Sequence, residues 1–497
     1  MRTFEDYIKN FGFVEYPFST YTTENEKGKE NDLFIPPGDY SPIIQGFNQN
    51  QSLILLGDRG TGKTAILLDF ERNLENKKAI FCLIDDFSTL KYGFNPVDFY
   101  KFIISRISIK LFEQLLIDTR RLKLIRKDDK VLLSYLLQNF VPSVSKRLIK
   151  DKIEKIQISL WKRTSRRFFN PIRNLLNWGT TAGATMVDQY IAQHFKGLPL
   201  LNSNVNIKEF FPELPLVVDD SFDDYEASYQ LLEEVLKVIK KLGYKRVVVL
   251  LDKIDEDNRL ENNGEEISEF IKPILTDNKL LLNSSMQIVI SMWTTPFNYL
   301  LEHVRTQKHN CPRLNWYKKD LENVLNRRLA TFSNDKIKCY KDLFSSDFLK
   351  ENENKIFELA NKNPRDLWHV FDKLMRNQYR LNSSSNKIEN SSVSNSFEDF
   401  VKNFNYYEYY PRKKNARGNS MDFYSYTAHL LKLDSITFTR NQLNDKAGTG
   451  GSTQNYVVSM ERIGLVEKSG QDSGVIQYRI RDPKVIYALE NKIKIEK

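Results

Sequence analysis

The chain has 497 residues, 41% of them hydrophobic and 28% charged, and a formal net charge of +10. This length predicts two or three domains with sizeable cores. Runs of 18 apolar residues and a signal-peptide pattern are both lacking, so we expect a cytoplasmic protein without a membrane-spanning helix. The cysteines (Cys82, Cys311 and Cys339) are too few and too scattered for a disulfide framework, and they lack the paired spacing of a zinc site.

Short apolar runs separated by helical patterns define the predicted sheet. SLILLG (52–57) predicts a buried strand, and TAILLDFERNLEN (64–76) predicts the helix after it. Further buried strands are predicted at AIFCLIDD (79–86), RVVVLLD (246–252) and MQIVISMW (286–293), with an amphipathic helix over 225–242 that Gly243 closes. Apolar strands that alternate with helices predict a parallel α/β sheet.

Residues 95–200 predict a basic helical insertion within this sheet. Residues 101–196 hold 20 Lys+Arg against 7 Asp+Glu, a difference of +13 that exceeds the net charge of the whole chain. Such local basicity is typical of contact with nucleic acid. A solvated helical face packed on an acidic neighbour explains the charge equally well, so both interpretations stay open.

The rest of the chain divides by composition. We assign 1–300 to a core domain that includes the insertion, and the mainly helical 301–381 to a lid over it. Residues 382–396 (NSSSNKIENSSVSNS) are rich in serine and asparagine, which predicts a linker. Residues 397–497 are then a separate unit.

The glycine-rich loop after the first strand carries the clearest chemistry. GDRGTGKT fits the pattern G-x-x-x-x-G-K-[ST], in which glycines let backbone N–H groups wrap a phosphate at a helix N-terminus. Lys63 can reach the β- and γ-phosphates, and the Thr64 hydroxyl can ligate Mg²⁺. The loop therefore predicts an ATP and Mg²⁺ site, with nucleotide contacts at Gly57, Asp58, Arg59, Gly60, Thr61, Gly62, Lys63, Thr64 and Ala65.

An acidic turn after the third predicted strand supplies the carboxylates that such a site needs. Asp252 ends the strand and is the predicted Mg²⁺ ligand opposite Thr64. The next residue, Lys253, cannot polarise a water molecule while it is protonated. The catalytic candidates are therefore Glu256 first and Asp255 second, together with Lys63.

Two later segments can contact the γ-phosphate. In SMWTTP the hydroxyl of Ser291, Thr294 or Thr295 can hydrogen-bond the phosphate or the attacking water, although an ordinary exit from a strand explains each one as well. In NPRDLW, Arg365 begins a helix and can reach the γ-phosphate from the lid.

Together, GDRGTGKT, LLDKIDE, SMWTTP and NPRDLW resemble the AAA+-related STAND ATPases, the signal-transducing group that includes NACHT-type proteins. LLDKIDE matches the second motif of that group at Asp252, Asp255 and Glu256, but has Lys253 where a small residue is usual. The segment FVEYPFS near the start of the chain adds a narrower resemblance. Residues 1–380, apart from the insertion, are similar to a family of bacterial P-loop ATPases whose genes often lie beside defence or mobile-element genes. The resemblance implies an ASCE/AAA+-like P-loop NTPase fold, ATP-driven switching or oligomerisation, and a partner effector.

The C-terminal unit is similar to a winged helix. A short helix over 440–447, a GTGG turn, a second helix capped by Ser452 and ended by Gly464, and a hairpin of LVEKS with VIQYRIR give the order of that fold. A DNA-binding role would place 452–462 in a major groove, with Lys468 and Arg479 on phosphates. The second helix is poor in Lys and Arg, so docking on protein is the competing interpretation.

The leading hypothesis is a STAND-like ATPase whose ATP state sets the arrangement of lid, insertion and C-terminal unit, as a switch in bacterial anti-phage defence. The alternative is a DNA-binding AAA+ ATPase, initiator-like or transposition-like, that loads onto or remodels DNA through 101–196 and the C-terminal unit. A third hypothesis is an inert scaffold with structural nucleotide.

Overall fold

A computed structural model of the chain describes residues 3–22, 25–26, 28–74, 78–141, 225–412, 421–472 and 474–497. Within these ranges the chain has a mixed α/β architecture, with one parallel sheet, one small antiparallel sheet and many helices. None of the helices in this part of the chain is long and apolar enough to cross a membrane.

The parallel sheet has four strands, and the strand predictions are confirmed. The strands are β1 (Leu53–Leu56), β2 (Ala79–Ile84), β3 (Arg246–Leu251) and β4 (Gln287–Met292). They lie side by side in the order β1-β4-β3-β2. Because Leu56 pairs with Met292 and Ile84 with Leu251, the carboxyl ends of all four strands meet at one edge.

An extended segment at 310–314 continues the sheet beyond β1. The N–H of Ile54 donates to the carbonyl of Asn310 at 2.9 Å, and the N–H of Leu314 donates to the carbonyl of Leu56 at 2.8 Å. This segment was predicted to lie within the helical lid (301–381). Its few residues, which include Pro312, carry too short an apolar pattern to be recognised as a strand.

Helices cover both faces of the sheet, as buried parallel strands require. Helices α3 (Tyr40–Asn48) and α4 (Lys63–Leu74) pack on one face, where Phe47 and Phe70 stack with ring centroids 4.0 Å apart. On the other face lie the helices α5 (Pro96–Ile117), α6 (Lys127–Asn139), α7 (Tyr225–Lys241), α8 (Gly264–Leu275) and α9 (Asn278–Leu281).

Helix α5 belongs to the core of the sheet domain, which corrects the prediction that the insertion begins at residue 95. Asn95 and Asp98 form a capping box at its start, and the helix packs against β2 and α7. Lys101, the first basic residue of the predicted patch, is only 8% exposed. Residues 142–200 of the predicted insertion lie outside the described residues.

A second hydrophobic core joins the predicted lid, the N-terminal segment and the C-terminal unit. The lid helices are α11 (Lys318–Ser333), α12 (Lys350–Leu359) and α13 (Pro364–Leu381), which follow the short α10 (Thr294–Asn298). Helices α1 (Phe4–Phe11) and α2 (Glu30–Leu33) come before β1, and Phe18, which lies between them, stacks on Phe371 of α13. The described residues up to Leu33 therefore pack on the lid, although they were assigned to the sheet domain.

The predicted linker at 382–396 is wrong in its second half. Helix α14 (Asn390–Asn403) begins inside it and packs along α13. Val393 and Phe397 are 2% and 3% exposed. Ser396 is also buried, and its hydroxyl is satisfied because it donates to the carbonyl of Ser392 at 2.6 Å. A polar composition therefore conceals one apolar helical face.

The C-terminal unit shares this core instead of forming one of its own. Its helices are α15 (Phe423–Leu430), α16 (Arg440–Ala447), α17 (Thr453–Arg462) and α18 (Pro483–Glu490), and its strands are β5 (Thr437–Thr439), β6 (Val466–Asp472) and β7 (Val475–Ile480). The antiparallel sheet has the order β5-β7-β6. Ser452 precedes α17 but makes no side-chain cap, and the Thr453 hydroxyl bonds the preceding turn instead.

Candidate functional site

The glycine-rich loop (residues 57–62) joins β1 to the first residue of α4, Lys63. Gly60 and Gly62 have φ angles of +85° and +84°, which L-residues rarely adopt. A Cβ at Gly57 would lie 2.5 Å from Thr61 Oγ1, so a side chain there would displace the Thr61 hydroxyl. Glycines with positive φ thus lie directly before the N-terminus of α4, an arrangement that suits an anion-binding turn.

Lys63 turns back over this loop. Its Nζ donates to the carbonyls of Gly57 and Asp58 at 2.9 and 3.0 Å. Burial lowers the pKa of Lys63, although Asp255 and Asp252 act in the opposite direction. A desolvated ammonium held by two carbonyls gains strongly from an anion placed beside it.

Thr64 and Asp252 are brought together across the sheet. The Thr64 hydroxyl donates to Asp252 Oδ2 at 2.7 Å, although the two residues are 188 positions apart. Asp252 follows the last residue of β3 and is 3% exposed. Two hard oxygen ligands therefore lie side by side beneath the loop, which is the donor set that Mg²⁺ prefers.

The acidic turn after Asp252 separates its two remaining carboxylates. Asp255 is 8% exposed and bound by Arg59, whose Nε lies 2.6 Å from Asp255 Oδ2 and whose Nη2 donates to the Asp255 carbonyl at 2.8 Å. Glu256 is exposed and lines the cleft, and desolvation by the surrounding chain together with the charge of Asp255 raises its pKa. Lys253 adopts a φ of +57°, a conformation that non-glycine residues reach at a cost.

Arg59 joins three parts of the site. Its guanidinium holds Asp255 and lies 4.6 Å from the ring centroid of Trp293, which follows β4. Its carbonyl accepts a hydrogen bond from the side-chain amide of Asn363 at 2.6 Å. The structure therefore assigns Arg59, predicted as a nucleotide contact, to binding Asp255, predicted as a catalytic residue.

The strand-end hydroxyls are less well placed than predicted. Thr294 begins α10 and, within the described part of the chain, is not among the residues that line the cavity next to the loop. Ser291 is 1% exposed, and its Oγ is buried without a hydrogen-bond partner among the described residues. The structure brings neither hydroxyl into the cavity.

Arg365 of the lid does reach this cavity. Asn363 caps α13 by accepting a hydrogen bond from the N–H of Arg365 at 2.9 Å, and Pro364 occupies the first turn. Arg365 lines the cavity, and its Nη1 lies 3.6 Å from Glu408 Oε2. The lid arginine is therefore within the same cleft as Lys63.

The cavity has a volume of about 400 Å³, and most of its wall away from the loop was missed by sequence reasoning. One wall comes from the N-terminal segment and another from the lid helices. These additional lining residues include Tyr21, Leu33, Phe34, Ile35, Pro37, Trp316, Val324, Arg328 and Trp368. For the N-terminal part of this wall the sequence does carry a signal, because ten of the first 50 residues are Phe or Tyr.

A buried ion pair fixes the N-terminal wall to the lid. Arg328 Nη1 lies 2.5 Å from Glu26 Oε1, and the two side chains are 4% and 10% exposed. The Arg328 guanidinium also packs over the Trp368 ring at 4.8 Å, and Tyr21 stacks on His369 with centroids 3.9 Å apart. These contacts attach the N-terminal wall of the cavity to the lid.

The predicted DNA-contacting residues of the C-terminal unit are mostly engaged within the chain. Arg462 Nη1 lies 2.8 Å from Glu265 Oε1, and its guanidinium packs over the Tyr299 ring at 4.5 Å. Lys468 pairs with Glu461 at 3.5 Å. Arg479 on β7 is exposed. Helix α17 thus contacts the sheet domain through its last residue.

A scan of protein-family models and a search of curated proteins found no match to the chain. The functional interpretation therefore depends on the geometry of the site itself.

Proposed function

We propose that the chain is an ASCE/AAA+-like P-loop ATPase that binds ATP with Mg²⁺ in the cavity at the glycine-rich loop. The observation that carries this proposal is the convergence of Lys63, Thr64 and Asp252 beneath a loop with two glycines of positive φ. The position of β4 between β1 and β3 supports the ASCE-like resemblance, because it is the additional strand between loop and magnesium carboxylate.

The residues present fit both groups. Lys63 and the loop N–H groups would hold the β- and γ-phosphates, and Thr64 with Asp252 would hold Mg²⁺. Bound Mg²⁺ supplies positive charge that neutralises the phosphate oxygens. The apolar residues Leu33, Ile35 and Val324 line the part of the cavity that would receive the base.

Hydrolysis is assigned to Glu256 rather than to Asp255. Arg59 holds one oxygen of the Asp255 carboxylate in a charge-assisted contact, so that oxygen is not available to a water molecule. Glu256 is exposed to the same cleft, and its raised pKa brings it closer to the range of a general base. Because Lys253 follows Asp252 and cannot polarise a water molecule while it is protonated, we propose that turnover is slow or stimulated by a partner.

The cellular role follows the resemblance to STAND ATPases. The lid touches the loop through Asn363, and α17 touches the sheet domain through Arg462, so a change at the nucleotide has contacts through which to act. We propose a nucleotide-dependent switch in bacterial anti-phage defence that works as a homo-oligomer or with a partner effector. ATP biases such a switch only by binding its two conformations differently.

The competing function, a DNA-remodelling AAA+ ATPase, keeps one supporting feature. Arg479 is exposed on the hairpin of the winged-helix-like unit, whereas Arg462 and Lys468 are paired with carboxylates. DNA binding would fall steeply with salt and would raise ATP turnover. ATP turnover that is unchanged by duplex DNA at low salt would favour the protein switch.

Isothermal titration with ATP and Mg²⁺ tests the nucleotide site. We expect Lys63→Ala to weaken binding about 10- to 100-fold, because a charge-assisted contact to phosphate is lost. Chelation of Mg²⁺ should weaken binding of wild-type protein in the same assay. The matched control is Lys402→Ala, an exposed lysine of α14 that should bind as wild type does. Equal affinity in wild type and Lys63→Ala would contradict the proposal.

A further inference from the structure

A set of buried polar groups links the glycine-rich loop to the last helix of the chain. It consists of Asn363, Tyr409, Asp366, Lys484 and Asp482, which we call the lid network. All five are at most 9% exposed, and Lys484 is fully buried. Buried polar groups in proteins are hydrogen-bonded, so each member depends on the next one.

At the loop end, the amide of Asn363 makes two donations. Its Nδ2 donates to the carbonyl of Arg59 at 2.6 Å and to the hydroxyl oxygen of Tyr409. Its Oδ1 caps α13 at the same time. One side chain therefore contacts the glycine-rich loop, the start of the lid helix α13 and the segment that precedes α15.

At the other end, the network reaches a buried ion pair. The Tyr409 hydroxyl interacts with the Asp366 carboxylate and lowers its pKa, and Asp366 Oδ2 accepts a hydrogen bond from Lys484 Nζ at 2.9 Å. Asp482, the N-cap of α18, lies 3.9 Å from the same Nζ. The Lys484 ammonium also packs over the rings of Phe404 and Tyr409 at 4.4 and 4.7 Å.

The contact at the loop leaves little freedom. A Cβ at Gly60 would lie 2.6 Å from Asn363 Oδ1 and 2.7 Å from Arg365 Cβ. The loop backbone cannot shift toward the lid without moving Asn363. Because a buried charge pair is strongly destabilised when one partner leaves, the network favours two states, docked or broken, over intermediate ones.

We propose that Asn363 and Tyr409 are positioning residues that couple nucleotide bound at the loop to docking of α18. The inference rests on the proposed nucleotide binding and names how that site is regulated. A bound phosphate fixes the loop backbone, and with it the Arg59 carbonyl that orients Asn363. Asn363 then orients Tyr409 against Asp366, which holds Lys484. By linkage, loss of the coupling weakens nucleotide binding by the same factor by which it loosens α18.

The test uses full-length Tyr409→Phe, which removes one hydroxyl and keeps the ring. Amide hydrogen exchange of 483–490 is measured with and without saturating ADP and Mg²⁺, and the dissociation constant of ADP is measured in parallel. In wild type we expect ADP to slow the exchange at least about 5-fold. We call the exchange rate without ADP divided by the rate with ADP the protection ratio. In Tyr409→Phe the protection ratio should approach one, and the dissociation constant of ADP should rise by the factor that is lost.

Tyr410→Phe is the matched control. Tyr410 is equally buried and donates to Asp482 Oδ2 at 2.9 Å, but it makes no contact with Asn363. It should lose stability as Tyr409→Phe does, yet keep the wild-type ratio. A ratio lost equally in both variants, or kept in Tyr409→Phe, would overturn the coupling.

Asn363→Ser is the second variant and decides the question if Tyr409→Phe does not fold. Serine keeps the cap on α13 but cannot supply the two amide donations. It should lose the ADP-dependent protection of α18, while its lower melting temperature without nucleotide is matched by that of Tyr410→Phe, which keeps the protection. If wild type binds neither ADP nor ATP, both the proposed function and the coupling fail. If it binds them and Asn363→Ser keeps the protection, the coupling alone fails.

Discussion

The cleft at the glycine-rich loop and the lid network use charged residues in opposite ways. In the cleft, Lys63 and Glu256 line a cavity. Lys63 Nζ donates to backbone carbonyls, which a bound ligand can replace. In the lid network, Asp366 and Lys484 are 2% and 0% exposed and satisfy each other. The first arrangement can respond to a ligand without unfolding, whereas the second can only stay intact or break. Asn363 contacts the glycine-rich loop and belongs to the lid network, so it connects a ligand-responsive site to a two-state contact.

The cleft side of this comparison is tested most strongly by Glu256→Gln. We expect the rate of ATP hydrolysis to fall about 10²- to 10⁴-fold, because the amide cannot accept a proton from water, while ATP affinity stays the same. Phosphate release under single-turnover conditions measures the rate. The control is Glu261→Gln, an exposed carboxylate of the same acidic turn region, which should hydrolyse ATP at the wild-type rate. An equal loss in both variants would mean that general charge in this turn, not Glu256, matters.

The joint between the two regions is tested by Gly60→Ala. At the positive φ of this position an alanine lowers the free energy of unfolding by about 1–2 kcal/mol. The clash of its Cβ with Asn363 lowers it by about 1–3 kcal/mol more. We expect a lower melting temperature together with weaker ATP binding. Gly474→Ala has nearly the same φ, +84°, and no atom within 4 Å of the added Cβ. Its melting temperature should fall only by the smaller backbone cost, and its ATP affinity should be unchanged. If both variants lose the same stability and ATP affinity, the contact with Asn363 is not the cause.

The sheet and the phosphate loop could be predicted because their signals are local. β1 and β3 are continuous apolar runs, and each ends directly at a polar residue or glycine that the chemistry needs. Thr64 and Asp252, each predicted as a Mg²⁺ ligand, lie within hydrogen-bond distance because the carboxyl ends of parallel strands share one edge. Thr294 failed to reach the cavity because α10 begins at that residue.

The far wall of the cleft and the lid network could not be predicted. Tyr21, Phe34 and Trp368 come from distant segments, and only packing of the lid brings them together. Lys484 lies 118 residues from Asp366, and a lysine at the start of a short helix is ordinarily exposed. The linker error was avoidable, because Val393 and Phe397 have the spacing of an apolar helical face.

The buried side of the comparison has a pH signature of its own. Burial raises the pKa of Asp366 from 3.8 to about 6, even though Lys484 opposes the shift. The folded chain then keeps a proton that the unfolded chain has released, so stability falls as the pH rises through this window and is level above it. Relative to Asp366→Asn, the unfolding free energy of wild type should fall by about 1 kcal/mol between pH 5 and pH 7 in urea titrations. A wild type that instead gains stability between pH 5 and pH 7 would show that Lys484 holds the pKa of Asp366 low. The pair would then be an ionic contact across this pH range.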